Sequence, residues 1–238
     1  MIYCQYKSCF IYHRSEVIKC LKEVSPEEIL NKEVGVVSYP GFNYQPFVMT
    51  LDGKILRMEP KLLLPRLANE MSNLKILIGT NKNEGSKALM YFLPHFFPNQ
   101  EISNPSLTSE NFDLIIKKLF HNARPGLVET IKFQYTNWTH PEDTRRRFEN
   151  LVQLVGDWQY SCPVDLVTSA LKSSQIFKYL FEVRNPKDSW PTWTGVKNGD
   201  ELDYIFGRPL ANDEGFKTRD KYVSEIMIGA WANFIKYG

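Results

Sequence analysis

The sequence predicts an α/β fold, and three observations predict it. Two short apolar runs, one from Leu74 to Gly79 and one from Ile176 to Val183, are dense in aliphatic, aromatic and β-branched residues and read as buried strands. Between and after them lie segments with helical apolar spacing. Each run also empties into a loop, the first through Gly79-Thr80-Asn81 and the second through a stretch rich in Pro and Trp; loops at strand ends are where α/β proteins hold their chemistry.

Taken in order, the chain opens with residues 1–8, which match no pattern. The stretch EVIKCLKE then places Val17, Ile18 and Leu21 on one helical face. Ser25-Pro26-Glu27-Glu28 starts the next helix with a capping box, Pro26 at its first position and Val24 placed to staple against Ile29. Phe47 to Leu56 reads as strand-like and turned at Asp52-Gly53. After the first buried strand, Glu84 stands in a turn and SKALMYF follows as a helix. Locally, Glu84 is either the cap of that helix or a carboxylate delivered to a site.

An amphipathic helix from Thr108 to Phe120 presents Phe112, Leu114, Ile115, Leu119 and Phe120, and a further helix spans Pro125 to Tyr135. Arg145, Arg146 and Arg147 form the basic run of the chain and read as a solvated helix face. The last helix, from about Arg219 to Lys236, buries Val223, Ile226, Met227, Ala230, Trp231 and Phe234.

Composition narrows the function classes. With 238 residues and 43% hydrophobic content the chain can bury a sizeable core in one or two domains. A net charge of +2 gives no strong field for nucleic acid or an acidic membrane. No apolar segment approaches the ~18 residues of a membrane span, and the first residues lack the apolar core of a signal peptide. Cys4, Cys9, Cys20 and Cys162 form neither a CxxC pair nor a set with histidine at ligand spacing, so neither metal nor cofactor is expected. His13, His95, His121 and His140 read as surface residues. Asn137-Trp138-Thr139 is a glycosylation sequon, a mark of secreted chains that also arises by chance.

Two motifs carry a resemblance to a known family. One is Asn81-Lys82-Asn83-Glu84-Gly85-Ser86. The other runs through Trp193, Gly195, Val196, Asn198, Gly199, Glu201, Leu202, Tyr204, Phe206, Gly207, Pro209 and Leu210. Tyr135-Thr136-Asn137-Trp138, Val155-Gly156-Asp157, Cys162-Pro163 and the last helix add further matches in the same order. From Cys9 to Gly238 the chain resembles the cholinesterase-like branch of the type-B carboxylesterases. The resemblance implies the C-terminal portion of an α/β-hydrolase fold, with an incomplete central sheet flanked by helices.

It also implies site residues. Glu84 falls at the acid of a Ser-Glu-His triad, and Asn198 stands where the family has its histidine. An amide neither takes nor returns a proton near neutral pH, so Asn198 is expected to be non-functional as a base. The sequence has no G-x-S-x-G elbow and no glycine-rich oxyanion loop, so nucleophile and oxyanion donors are missing as well.

Cys9 and Cys20 enclose ten residues. By resemblance they close a disulfide loop; the alternative is two free thiols. Cys162 is expected to be a free thiol. Asn43 and Gln45 fall at acyl-pocket positions, Lys87 and Ala88 near aromatics that would hold a quaternary ammonium, and Leu127 and Ile131 either in the core or at a homodimer seam. Two functions follow. The first is a fragment of an extracellular carboxylic ester hydrolase, inactive alone. The second is a cholinesterase-like adhesion protein of the neuroligin type, which binds a protein partner without catalysis.

Overall fold

The computed structural model describes residues 14–33, 49–68, 70–93, 105–171, 175–211 and 215–238. They fall into two compact units, one within residues 1–49 and 118–122, the other within 50–117 and 123–238.

The first unit holds α1 (Arg14–Lys22) and α2 (Pro26–Glu33). The expected start signal operates at α2: the Ser25 hydroxyl accepts a hydrogen bond from the Glu28 N–H at 3.1 Å. Ile18, Leu21 and Ile29 are exposed in these helices. Cys9 lies outside the described residues, as do Asn43, Gln45, His13 and His95.

The second unit is built on a parallel pair, β1 (Lys75–Asn81) and β2 (Gln175–Phe181), in register from Lys75 opposite Gln175 to Asn81 opposite Phe181. Because the pair is parallel, the loops that leave Asn81 and Phe181 emerge at the same end. β1 runs through Gly79 for two more residues than the apolar run alone suggests, carrying the polar Thr80 and Asn81 into the sheet. The expected burial is realised only in part, since Phe177 and Leu180 of β2 are about half exposed.

The unit also holds α3 (Pro60–Leu67), α4 (Gly85–Phe92), α5 (Ser109–Leu119) as far as residue 117, α6 (Pro125–Gln134), α7 (Thr144–Gly156), α8 (Cys162–Ala170), α9 (Leu202–Ile205) and α10 (Thr218–Tyr237). A π-helical turn at Asp157–Ser161 joins α7 to α8. α10 packs its aromatics across β2: Phe234 meets Phe177 at a ring separation of 6.0 Å and Trp231 meets Tyr179 at 5.0 Å, both edge to face. A second contact set joins Phe181, Val196 and Tyr204 with Val223 and Met227.

Several expectations are corrected. Residues 49–56 form no strand: the Asp52 carboxylate accepts the N–H groups of Lys54, Ile55 and Leu56, which coils the segment into a turn and leaves Met49, Leu51 and Ile55 exposed. In α5 the buried face is Phe112, Ile115, Ile116 and Leu119, while Leu114 points to solvent. In α10, Ile226 and Ala230 are exposed, and the buried positions are the polar Asp220 and Ser224. Leu127 of α6 is exposed and Val128 takes the core position.

The basic run splits. Arg145 and Arg146 are solvated and pair with Glu149 and Asp143, whereas Arg147 turns inward to the carbonyls of Leu107 and Pro141.

The carboxylate turn is set by two glycines. A Cβ on Gly85 would lie 2.1 Å from the Val152 carbonyl oxygen and 2.6 Å from the Gly156 nitrogen, so the first turn of α4 rests on the backbone of α7. Gly156 answers from the other side, where a Cβ would sit 3.2 Å from the Gly85 nitrogen. The Val-Gly-Asp and Glu-Gly-Ser motifs meet here.

Candidate functional site

Glu84 follows β1 by three residues and is buried, with 6% of its surface exposed. It precedes α4 directly, but its side chain makes no cap hydrogen bond to that helix. Instead Oε1 accepts the Asn81 backbone N–H at 2.8 Å, and Oε2 accepts the Asn198 side-chain Nδ2–H at 2.9 Å across a sequence separation of 114. Of the two local readings, the helix cap is not formed; the carboxylate turns instead to Asn81 and to the second loop.

Burial raises the Glu84 pKa above the ordinary glutamate value. The bonds from Asn81 and Asn198 oppose that shift, and the charges of Glu201 and Asp200 reinforce it. Tyr160, in the π turn, is likewise held protonated, by burial first and then by the Glu84 charge.

Asn81 joins the two motifs. Its Nδ2 donates to the Lys197 carbonyl at 2.8 Å and to the Glu201 carboxylate, while its Oδ1 is buried without a partner among the described residues. Asn83 adds a second join, accepting the Val196 N–H at Oδ1 (3.0 Å) and donating its own N–H to the Val196 carbonyl (2.8 Å). That approach demands glycine at the neighbouring position: Gly195 has φ +62°, and a Cβ there would fall 2.2 Å from Asn83 Oδ1.

The loop that carries Asn198 is held from below by charge. Lys197, 7% exposed, sends Nζ to Asp200 at 2.6 Å and Asp188 at 2.8 Å. Arg184 donates to the carbonyls of Gly195 and Trp190, both at 2.7 Å. Burial raises the Asp200 pKa, against the attraction of Lys197. Further along, the buried Tyr204 hydroxyl donates to Asp220 at 3.3 Å and its carbonyl accepts from Ser224 at 2.7 Å, anchoring α9 on α10. Burial and the Asp220 charge keep that phenol protonated.

Two of the sequence-derived site residues, Glu84 and Asn198, are therefore in direct contact. Asn137 lies in the loop between α6 and α7, and His121 and His140 are exposed. Lys87 and Ala88 lie in α4, Ala88 buried. Cys162 is an exposed free thiol at the start of α8. No group of three metal-ligating side chains occurs among the described residues.

Asn81, Asn83, Lys197 and Glu201 escaped notice as site residues. The signal for the two asparagines was their place in the turn motif, and for Lys197 and Glu201 their places beside Asn198. Chemically, the arrangement presents a buried hydrogen-bond acceptor to the residue at position 198.

A parallel strand pair whose two carboxyl-end loops meet through a buried carboxylate defines an α/β protein with its candidate chemistry at the strand ends. The model of the carboxylesterase family matches residues 3–238, and the chain belongs to that family. It is 30% identical over 233 residues, 97% of its length, to an acetylcholinesterase of Bungarus fasciatus. Against a cholinesterase of Mus musculus it is 30% identical over 244 residues, 98% of its length. In each comparison the match covers 38% of the relative's own length. Among the described residues no helix is long and apolar enough to cross a membrane.

Proposed function

We propose that the chain is the C-terminal part of an extracellular, cholinesterase-like carboxylic ester hydrolase, with Glu84 at the acid position and Asn198 at the base position of its triad. The observation that supports this reading is the 2.9 Å bond from Asn198 Nδ2 to Glu84 Oε2. A triad acid orients its histidine by accepting the ring N–H, and the Asn198 amide makes the corresponding donation here. An amide has no second nitrogen to act as a base. With no activated serine in the sequence, the chain by itself hydrolyses no ester.

The test is a chimera in which a carboxylesterase upstream half supplies serine and oxyanion loop. With Asn198 it should show residual turnover of a short-chain activated ester. Asn198→His should raise the rate by more than ~10³, the usual cost of a missing triad member, and Glu84→Gln should lower the restored rate. A folded chimera indifferent to Asn198→His refutes the assignment. The chain alone, assayed with the same ester, should be silent.

The same contact favours a second reading. A carboxylate satisfied by an amide is a stable end state, as suits a cholinesterase-like adhesion protein of the neuroligin type that uses its surface to bind a protein. An intact G-E-S-A-G in coding sequence adjoining this chain would decide for the hydrolase, and its loss for the binding protein.

A further inference from the structure

We infer that Asn137 is an N-glycan acceptor in the folded chain and that the glycan covers the aromatic pair at the end of α6. The sequon Asn137-Trp138-Thr139 lies where α6 ends, and its backbone is already bent back. Asn137 Oδ1 accepts the N–H of Thr139 at 3.1 Å and of His140 at 3.0 Å, and the His140 N–H also reaches the Asn137 carbonyl at 3.3 Å. With the amide oxygen occupied, Nδ2 is the end left over, and it makes no hydrogen bond among the described residues. Thr139 is exposed, so the hydroxyl that a transferase reads is accessible.

The Trp138 Nε1–H donates to the Phe133 carbonyl at 3.1 Å, and its ring lies 5.1 Å from that of Phe133. Both residues are more than 60% exposed, Phe133 at 64% and Trp138 at 62%. An exposed ring pair beside the acceptor gives the apolar face of the first sugar a surface to lie on, and burying it removes a patch that water solvates poorly. A glycan seated there also closes this end of α6 to a subunit seam.

The co-reactant is an oligosaccharide linked through pyrophosphate to a lipid. Asn137 Nδ2 attacks the anomeric carbon, the bond from that carbon to the pyrophosphate oxygen breaks with its electron pair leaving on the pyrophosphate, and Nδ2 yields one proton to a base of the transferase. Nothing is oxidised or reduced. Meeting this donor in a cell rests on the extracellular reading above, whereas competence of the folded loop does not.

The experiment treats the purified, folded full chain with a eukaryotic oligosaccharyltransferase and a lipid-linked oligosaccharide, in parallel with chain unfolded in urea and diluted immediately before assay. Intact mass should rise by one oligosaccharide in the folded sample, and peptide mapping after enzymatic deglycosylation should find aspartate at position 137. Asn137→Gln and Thr139→Ala should each abolish the shift, and Thr139→Ser should restore it. Both positions border solvent, so these variants should fold, which near-UV circular dichroism checks. Modification confined to the unfolded sample, or absent from both, overturns the inference. Because the transferase is supplied, such a failure is separate from any failure of the extracellular reading.

Discussion

Replacing Gly85 by alanine tests how the carboxylate turn is held. On helix propensity alone Gly→Ala inside an exposed helix gains about 1 kcal/mol, and less at a first helical position such as this. Against that stands the contact: the added Cβ would meet the Val152 carbonyl oxygen at 2.1 Å, the Gly156 nitrogen at 2.6 Å and the Val155 Cβ at 2.9 Å. Two of these are backbone atoms in the C-terminal turns of α7, where Leu151, Val152, Leu154 and Val155 are buried, so no flexible side-chain end can swing away. α4 must withdraw from α7 by about an ångström, and overpacking of this kind costs roughly 1–3 kcal/mol, with backbone obstruction at the upper end.

Gly85→Ala should therefore lower stability by about 3 kcal/mol, a large share of the 5–15 kcal/mol typical of a domain. Gly156→Ala, whose Cβ would approach nothing nearer than 3.2 Å, should cost about 1 kcal/mol less by the same overpacking scale. Urea unfolding followed by tryptophan fluorescence measures both. If Gly85→Ala shifts the free energy no more than Gly156→Ala, the turn is not fixed by the close approach of the two helices and the reasoning fails.

Other perturbations have defined outcomes. Because burial lifts the Glu84 pKa in the folded state, its proton stabilises the fold below the ordinary value of 4.5, and that contribution is lost as pH rises through the raised folded value. Urea midpoints between acid and neutral pH should fall more steeply for the parent than for Glu84→Gln, and parallel curves would refute the burial argument. Lys197→Met strips two buried carboxylates, Asp188 and Asp200, of a shared cation. It should cost about 3 kcal/mol by thermal or urea melt, and a neutral result would show that the pair is solvated. Tyr204→Phe removes one long hydrogen bond to Asp220 and should cost about 1 kcal/mol by the same melt; a loss several times larger would mean that the hydroxyl supports more than that bond.

The amino-acid sequence by itself determined the elements whose signals are local. The Leu-Ile run of β1, the aromatic run of β2, the Ser25-Pro26 start of α2 and the apolar spacing of α5 and α10 are each decided by neighbours within a turn or a strand. The motifs around Glu84 and Asn198 were legible in the same way, since each is a short stretch whose residues follow one another. Tertiary structure decided what depends on approach between distant segments. Whether Glu84 caps α4 or faces the second loop turns on the amide at position 198, which periodicity near Glu84 cannot register.

The same holds for burial. Asp220 and Ser224 are the buried positions of α10 because Tyr204 presents them a hydroxyl and a carbonyl, whereas the apolar Ile226 is left to solvent on the far side. Lys197 is a charged residue that by composition belongs outside, yet two carboxylates make its burial affordable. The strand-like run after Phe47 lost its strand to the Asp52 carboxylate, which gathers backbone N–H groups that a sheet would otherwise bind. Gly85 stands in the sequence between the Glu84 turn and the helix that follows; that only hydrogen fits there follows from the carbonyl of Val152, brought beside it by the packing of α7.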